Sequence, residues 1–220
     1  MKKNLSFFII FFTLSLTSCN SLKGYQEIFK NIITSSFNSQ DIQLTDELKN
    51  LPYAMILIEF RKSEFIFILA EDLGNDQLKW VDASSNGFIT ENGKIIRSFM
   101  GLQKDIIEYD SPELSKIIKE LDESEYVTKD SFIQLTGPST SILSKISTYY
   151  ITDKDFLQNK ISGKIEGVNL LVEEFSVPKI NWHDKNVYWI DDSGKVLKSK
   201  QTIHPNLGKI RTESLKRYKK

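Results

Sequence analysis

The stretch Tyr53–Phe99 limits what this chain can fold into more than any other. It opens with two short runs, Tyr53–Phe60 and Phe65–Ala70. The first is apolar on both alternating faces, with Ala54, Ile56, Ile58 and Phe60 on one and Met55 and Leu57 on the other. Their shortness, their Ile and Phe content and the charged Arg61-Lys62-Ser63-Glu64 between them predict two adjacent strands. Both would be covered on both sides, in the middle of a closed or stacked sheet. Leu73-Gly74-Asn75-Asp76 signals a turn, and Leu78, Trp80 and Asp82 then alternate with Lys79 and Val81. Asn92-Gly93 stands between Phe88-Ile89 and Ile95-Ile96, where a type I′ hairpin needs two residues at positive φ. The stretch is a β-meander. The expected fold is mainly β, with antiparallel meanders forming a sandwich or barrel-like domain and a few short helices.

With 220 residues, 40% of them hydrophobic, the chain has enough apolar side chain for one such domain. Lys+Arg and Asp+Glu number 29 each, so no basic face announces a nucleic-acid partner. The amino terminus stands apart from the fold. Lys2 and Lys3 precede the apolar run Leu5–Leu16, too short to span a bilayer and suited to the core of a secretory signal. Leu16-Thr17-Ser18-Cys19 follows, the order of a bacterial lipobox. Small residues let the signal peptidase close on the bond before the cysteine, whose thiol receives a diacylglycerol. Cys19 is the only cysteine, so it has no intrachain disulfide partner, and an ordinary signal peptide would leave that thiol unexplained. Several acyl chains, at roughly 0.8 kcal/mol per buried methylene, make such an anchor effectively permanent. Asn20, where an aspartate would favour the inner membrane, points to the outer membrane.

The expected organisation is a signal peptide at 1–18, an anchored helix and linker at 19–50, and one β-rich periplasmic domain at 51–220. Tyr25, Ile28, Phe29, Ile32 and Ile33 recur at helical spacing, and a polar linker runs from Ser35 to Gln43. Asp110-Ser111-Pro112-Glu113 reads as a helix start, with a capping side chain, proline in the first turn and an acid near the positive end. Leu114, Ile117, Ile118 and Leu121 then give the helix one apolar face. Strands are expected again at Ser131–Leu135, Lys145–Ile151, Gly167–Phe175, Val187–Ile190 and Lys195–Lys198, the last two flanking a turn at Asp191-Asp192-Ser193-Gly194. Trp80-Val81-Asp82 and Trp189-Ile190-Asp191 both lead into turns, as two related β-units or as one hairpin solution used twice. The basic run Lys209–Lys220 reads as a solvated terminus, or as a contact for anionic headgroups or an acidic polysaccharide.

Catalytic motifs do not emerge. Gly-x-Ser-x-Gly, His-Glu-x-x-His, paired cysteines, an EF-hand loop and a phosphate-binding glycine loop are all missing, so no catalytic residue and no metal ligand is assigned. His183 beside Asp184 would make an oriented base only outside a strand, because neighbours in a strand point to opposite faces. A pair of carboxylates for glycoside chemistry can be drawn from 29 acids but is marked by no pattern. The aromatic residues are more suggestive. Trp182, Tyr188, Tyr149 and Tyr150 could stack on sugar rings or pack in the core, whereas Trp80 and Trp189 read as structural.

Taken in order, the lipobox at Cys19, Leu51-Pro52-Tyr53-Ala54, Trp80-Val81-Asp82-Ala83, Asn92-Gly93-Lys94-Ile95-Ile96-Arg97-Ser98 with Gly101-Leu102, Tyr188-Trp189-Ile190-Asp191 with Gly194-Lys195-Val196, Ser199-Lys200-Gln201 and Pro205-Asn206-Leu207 resemble one family. It is the YjbF-type lipoproteins, the group 4 capsule polysaccharide lipoprotein family, over nearly the whole length. The chain departs from that pattern at Gly208-Lys209, where a more proline-rich ending is expected. The resemblance implies an outer-membrane lipoprotein facing the periplasm and serving capsule or exopolysaccharide assembly and export. It carries no catalytic residue and no cofactor beyond the lipid on Cys19. Its implied partners are the membrane, through the lipid anchor, and capsule or exopolysaccharide export proteins; an acidic polysaccharide is the further partner that the basic terminal run allows.

Overall fold

The structure is a computed structural model, and it describes residues 48, 50–100, 105–136 and 142–218. The signal peptide, Cys19, the helix and linker expected over 20–43, Gly101-Leu102 and Gly137-Pro138 lie outside the described residues.

Twelve strands form one antiparallel sheet: β1 Met55–Phe60, β2 Ser63–Gly74, β3 Gln77–Val81, β4 Gly87–Glu91, β5 Lys94–Phe99, β6 Ile106–Asp110, β7 Val127–Leu135, β8 Ile142–Gln158, β9 Ile165–Val177, β10 Trp182–Ile190, β11 Val196–Gln201 and β12 Ile210–Lys216. Neighbours in sequence are neighbours in the sheet except β5 and β6, which stand at its two ends, and β12 returns to pair with β1 as well as β11. The order is therefore β5-β4-β3-β2-β1-β12-β11-β10-β9-β8-β7-β6, and the sheet curls until its two ends nearly close a barrel. At that seam Ser98 Oγ donates to Asp105 Oδ1 at 2.9 Å, and Arg97 Nε donates to the Ile107 carbonyl at 2.8 Å.

β1 lies between β2 and β12, and its first four residues bury both faces, as a central strand requires. β2 does so only at Ile66 and Phe67; from Ala70 onward it is exposed. Its turn to β1 places Arg61 (φ 50°) and Lys62 (φ 67°) in the left-handed region, a conformation that costs side-chain-bearing residues energy. The expected turn at Asn92-Gly93 has φ values of 42° and 78°.

The two Trp-x-Asp sequences share one loop. Asp82 Oδ1 accepts from the backbone N–H of Ser84 and Asn86 at 2.7 and 2.9 Å, and Asp191 Oδ1 accepts from Ser193 and Lys195, both at 3.0 Å. In each loop the third residue after the aspartate, Ser85 or Gly194, takes positive φ and donates its N–H to the aspartate carbonyl. The recurrence is one hairpin solution used twice, closed by a local carboxylate.

Two expectations need correction. The helix, α1, is Leu114–Leu121, with Glu113 at its N-cap and no side-chain cap. Pro112 lies outside its first turn, and Ser111 Oγ donates to the Pro112 carbonyl instead of capping. Its apolar face still packs Leu114 and Ile117 against Val127, Tyr149, Leu171 and Tyr188. The basic carboxy-terminal run is not a solvated tail, because Ile210–Lys216 is a central strand. Lys209 pairs with Asp184 at 2.6 Å and Arg211 with Glu59 at 2.9 Å, while Arg217 pairs with Glu166.

Candidate functional site

Inside the barrel the alternation of strand side chains brings an unusual set together. On β8, Lys145, Ser147 and Tyr149 point inward at every second position and are buried. β9 adds Glu173, β10 adds Asn186 and Tyr188, and the two strands at the seam add Lys94 from β5 and Tyr109 from β6.

Glu173 is fully buried at the centre of this set. Its Oε1 accepts from Lys145 Nζ at 2.8 Å, Ser147 Oγ at 2.9 Å, Tyr149 OH at 3.1 Å and Tyr109 OH at 3.3 Å. Its Oε2 accepts from Asn186 Nδ2 at 2.8 Å and Tyr188 OH at 2.9 Å. Lys94 Nζ stands 3.5 Å from Oε1 and donates to Tyr149 OH at 2.8 Å. One carboxylate thus faces two ammonium groups. Aromatic faces take up the remaining positive charge, since Lys145 Nζ lies 4.0 Å from the Phe175 ring centroid and 4.5 Å from that of Tyr109.

Burial opposes ionisation of Glu173, but the Lys145 and Lys94 charges and the Lys145 and Asn186 hydrogen bonds outweigh it. They hold the carboxyl well below the usual carboxylate range. Burial would likewise lower Lys145, yet Glu173 and Tyr109 outweigh that and raise it. Burial first, and Glu173 second, push the Tyr149 and Tyr188 hydroxyls upward, so both stay protonated donors. Every partner is fixed and sheltered from water. Such a centre holds charge in place and draws β5 and β6 onto β8, β9 and β10.

This placement accounts for most of the aromatic candidates. Tyr149 and Tyr188 are wholly buried donors to Glu173, and Trp182 is buried edge-on against Phe175 with ring centroids 4.9 Å apart. The three present no open ring face to a sugar, so the expected aromatic group does not assemble into one platform. Tyr150 lies on the opposite face, half-buried, and donates to Glu174 at 2.7 Å beneath Lys185. Trp80 is a core residue whose Nε1 donates to Thr90 at 2.8 Å, whereas Trp189 lies half-buried on the outer face. His183 is exposed, and Asp184 points instead to Thr202 and Lys209, as opposite strand faces dictate. Among the described residues no group of His, Cys, Asp and Glu is arranged to hold a metal ion, and no helix is long and apolar enough to cross a membrane.

A second feature is an open pocket of about 390 Å³ lined in part by Trp80, Thr90, Asn92, Val196 and Arg217. The β4–β5 hairpin tip closes on it, with Asn92 Nδ2 donating to the Gly194 carbonyl at 3.0 Å. The Gln201 amide completes the backbone bonding of β5 by accepting from Ile95 N–H and donating to the Gly93 carbonyl, both at 2.9 Å.

Comparison with known proteins agrees with this architecture. The crystal structure of the hypothetical lipoprotein YmcC from Escherichia coli (K12) superposes with a TM-score of 0.71 at 16% identity, covering 90% of this chain and 96% of that one. The lipoprotein YjbF of Escherichia coli strain K12 is 23% identical over 213 residues, 94% of this chain and 96% of its own length. The lipoprotein GfcB of the same strain is 22% identical over 204 residues, 87% of this chain and 89% of its own. The family model described as "Group 4 capsule polysaccharide lipoprotein gfcB, YjbF" matches residues 25–215. A match over that span, joined to the shared fold, makes this chain a member of the YjbF family of group 4 capsule polysaccharide lipoproteins.

Proposed function

We propose that this protein is a non-enzymatic outer-membrane lipoprotein, anchored through Cys19 and facing the periplasm. It serves capsule or exopolysaccharide assembly and export by contact, either binding glycan or docking to export proteins. Family membership supports the capsule-related role. The observation that favours contact over chemistry is the state of the Glu173 centre. Its carboxylate oxygens are fully engaged by fixed donors, and its tyrosines and lysines are sealed from solvent, so they brace a rigid barrel.

The test is made in the host. Cells lacking the protein are expected to display less surface polymer, with the sugar composition and linkage of that polymer unchanged. Cys19→Ala is expected to reproduce the loss while abolishing incorporation of labelled fatty acid. Polymer of altered linkage or trimmed sugars in the deleted cells would turn the reading toward a glycan-modifying enzyme with a carboxylate site. Normal surface polymer in the deleted cells would overturn the capsule role.

A further inference from the structure

The β8–β9 hairpin continues beyond the barrel as an arm and folds over the outer face of the sheet. Asn159 Nδ2 donates to the Ser214 carbonyl at 2.9 Å, Lys160 pairs with Glu64 at 3.0 Å, and Asp155 Oδ2 accepts from Trp189 Nε1 at 3.2 Å. Beside these contacts lies a groove of about 320 Å³, at the small end of ligand-sized pockets, which run from about 300 to 1,000 Å³.

Strand register orders its floor. Trp189 stands opposite Lys198, Lys198 opposite Glu213 and Glu213 opposite Leu57. In the adjacent row Lys200 stands opposite Arg211, and Arg211 opposite Glu59. Most of these charges are spent. Arg211 Nη1 donates to both oxygens of Glu59 at 2.9 and 3.0 Å, and Lys160 is committed to Glu64.

Two groups remain. Lys200 carries no ion pair among the described residues. Glu213 is only 7% exposed, and its Oε1 is buried without a hydrogen-bond partner, while its nearest cation, Lys198 Nζ, is 3.8 Å from Oε2. An unmet buried carboxylate oxygen is costly, and structures rarely keep one without a use. The groove is therefore lined by a carboxylate with one oxygen short of a donor, an unpaired ammonium and the half-buried indole of Trp189, whose ring centroid lies 5.6 Å from Lys198 Nζ.

We infer that this groove binds a short segment of an acidic saccharide. A sugar hydroxyl donates to the Glu213 carboxylate, a sugar carboxylate pairs with Lys200, and the apolar face of a ring packs on Trp189. The inference rests on the glycan-binding branch of the proposed function and assigns it a place and a ligand class. A neutral sugar would leave Lys200 unmatched, and a simple anion would be repelled by Glu213.

The test titrates the full chain, purified in mild detergent, with an oligogalacturonate and with a neutral oligosaccharide of equal length, followed by Trp fluorescence and calorimetry. The oligogalacturonate is expected to bind at least tenfold more tightly than the neutral oligomer. Trp189→Ala and Lys200→Met should each weaken it tenfold or more, with the β-sheet circular dichroism unchanged. Binding unaltered in Lys200→Met, or equal for both oligomers, would overturn the inference, and so would no binding of either. If the host polymer binds the unaltered chain and Lys200→Met equally, the glycan-binding function survives and this groove is not its site.

Discussion

Glu173→Gln is expected to destabilise the barrel by about 3–5 kcal/mol, the cost of leaving a buried charge without its partner. The substitution keeps the shape of the side chain but removes the only carboxylate, among the described residues, that pairs with Lys94 and Lys145, both almost wholly buried. It also turns one acceptor oxygen into an amide donor aimed at groups that themselves donate. The seam between β5 and β6 should loosen first, because Lys94 and Tyr109 reach the centre from those two strands. Urea denaturation followed by near-ultraviolet circular dichroism measures the loss, and a change under about 1 kcal/mol would mean that the centre does not brace the fold.

The same substitution sets a pH signature. The folded carboxyl of Glu173 lies below its unfolded value of about 4.3. Its contribution is therefore complete above that value and is lost as pH falls toward the folded one. The gap in stability between the unaltered chain and Glu173→Gln should narrow below about pH 4 and stay constant from there to neutrality. Lys145 works in the opposite sense. Its folded value lies above the ordinary lysine value of 10.5, so its contribution persists through neutrality and is lost only in strong alkali.

Gly87→Ala is the second large effect. Gly87 opens β4, paired with Val81 on one side and Phe99 on the other. A Cβ there would fall inside contact distance of the Trp80 carbonyl and of the Phe99 ring, which lies across the glycine. A ring can swing aside, but a carbonyl within a strand ladder moves only by shifting the ladder. The expected cost is roughly 3 kcal/mol, at the upper end of overpacking penalties. Gly167→Ala is the control: nothing lies within 4 Å of the added carbon, so its stability should change by less than about 1 kcal/mol. Equal effects at the two glycines would refute the packing argument.

The meander from Tyr53 to Phe99 could be read from sequence because apolar runs and turn dipeptides are local signals. Asn92-Gly93 carries its conformation in its chemistry. Arg61-Lys62 adopts the same left-handed turn without any such mark, held there by the pairing of β1 with β2.

The Glu173 centre was hidden for a specific reason. On β8 the usual pattern is inverted, with Lys145 and Ser147 inside while Ile142 and Ile146 face solvent. Glu173 and Glu174 are identical neighbours, and only the phase of β9 decides which of them is buried. Periodicity gives that phase only if polar residues are assumed to face out. Tyr149 and Tyr188 stand out in the sequence as aromatics, but their hydroxyls, both donating to Glu173, determine their place. The basic terminal run misled in a similar way, since its charges are matched by carboxylates far off in sequence, such as Glu59 and Asp184.

Contact without chemistry is the central claim, and size-exclusion chromatography of the full chain in detergent with acidic exopolysaccharide from its own host tests it most directly. Polymer and protein are both followed. The polymer is expected to keep its length and to carry protein with it, or to keep its length while the protein elutes with export proteins added from the same host. Polymer that becomes shorter over the incubation would contradict the account and return attention to the carboxylates.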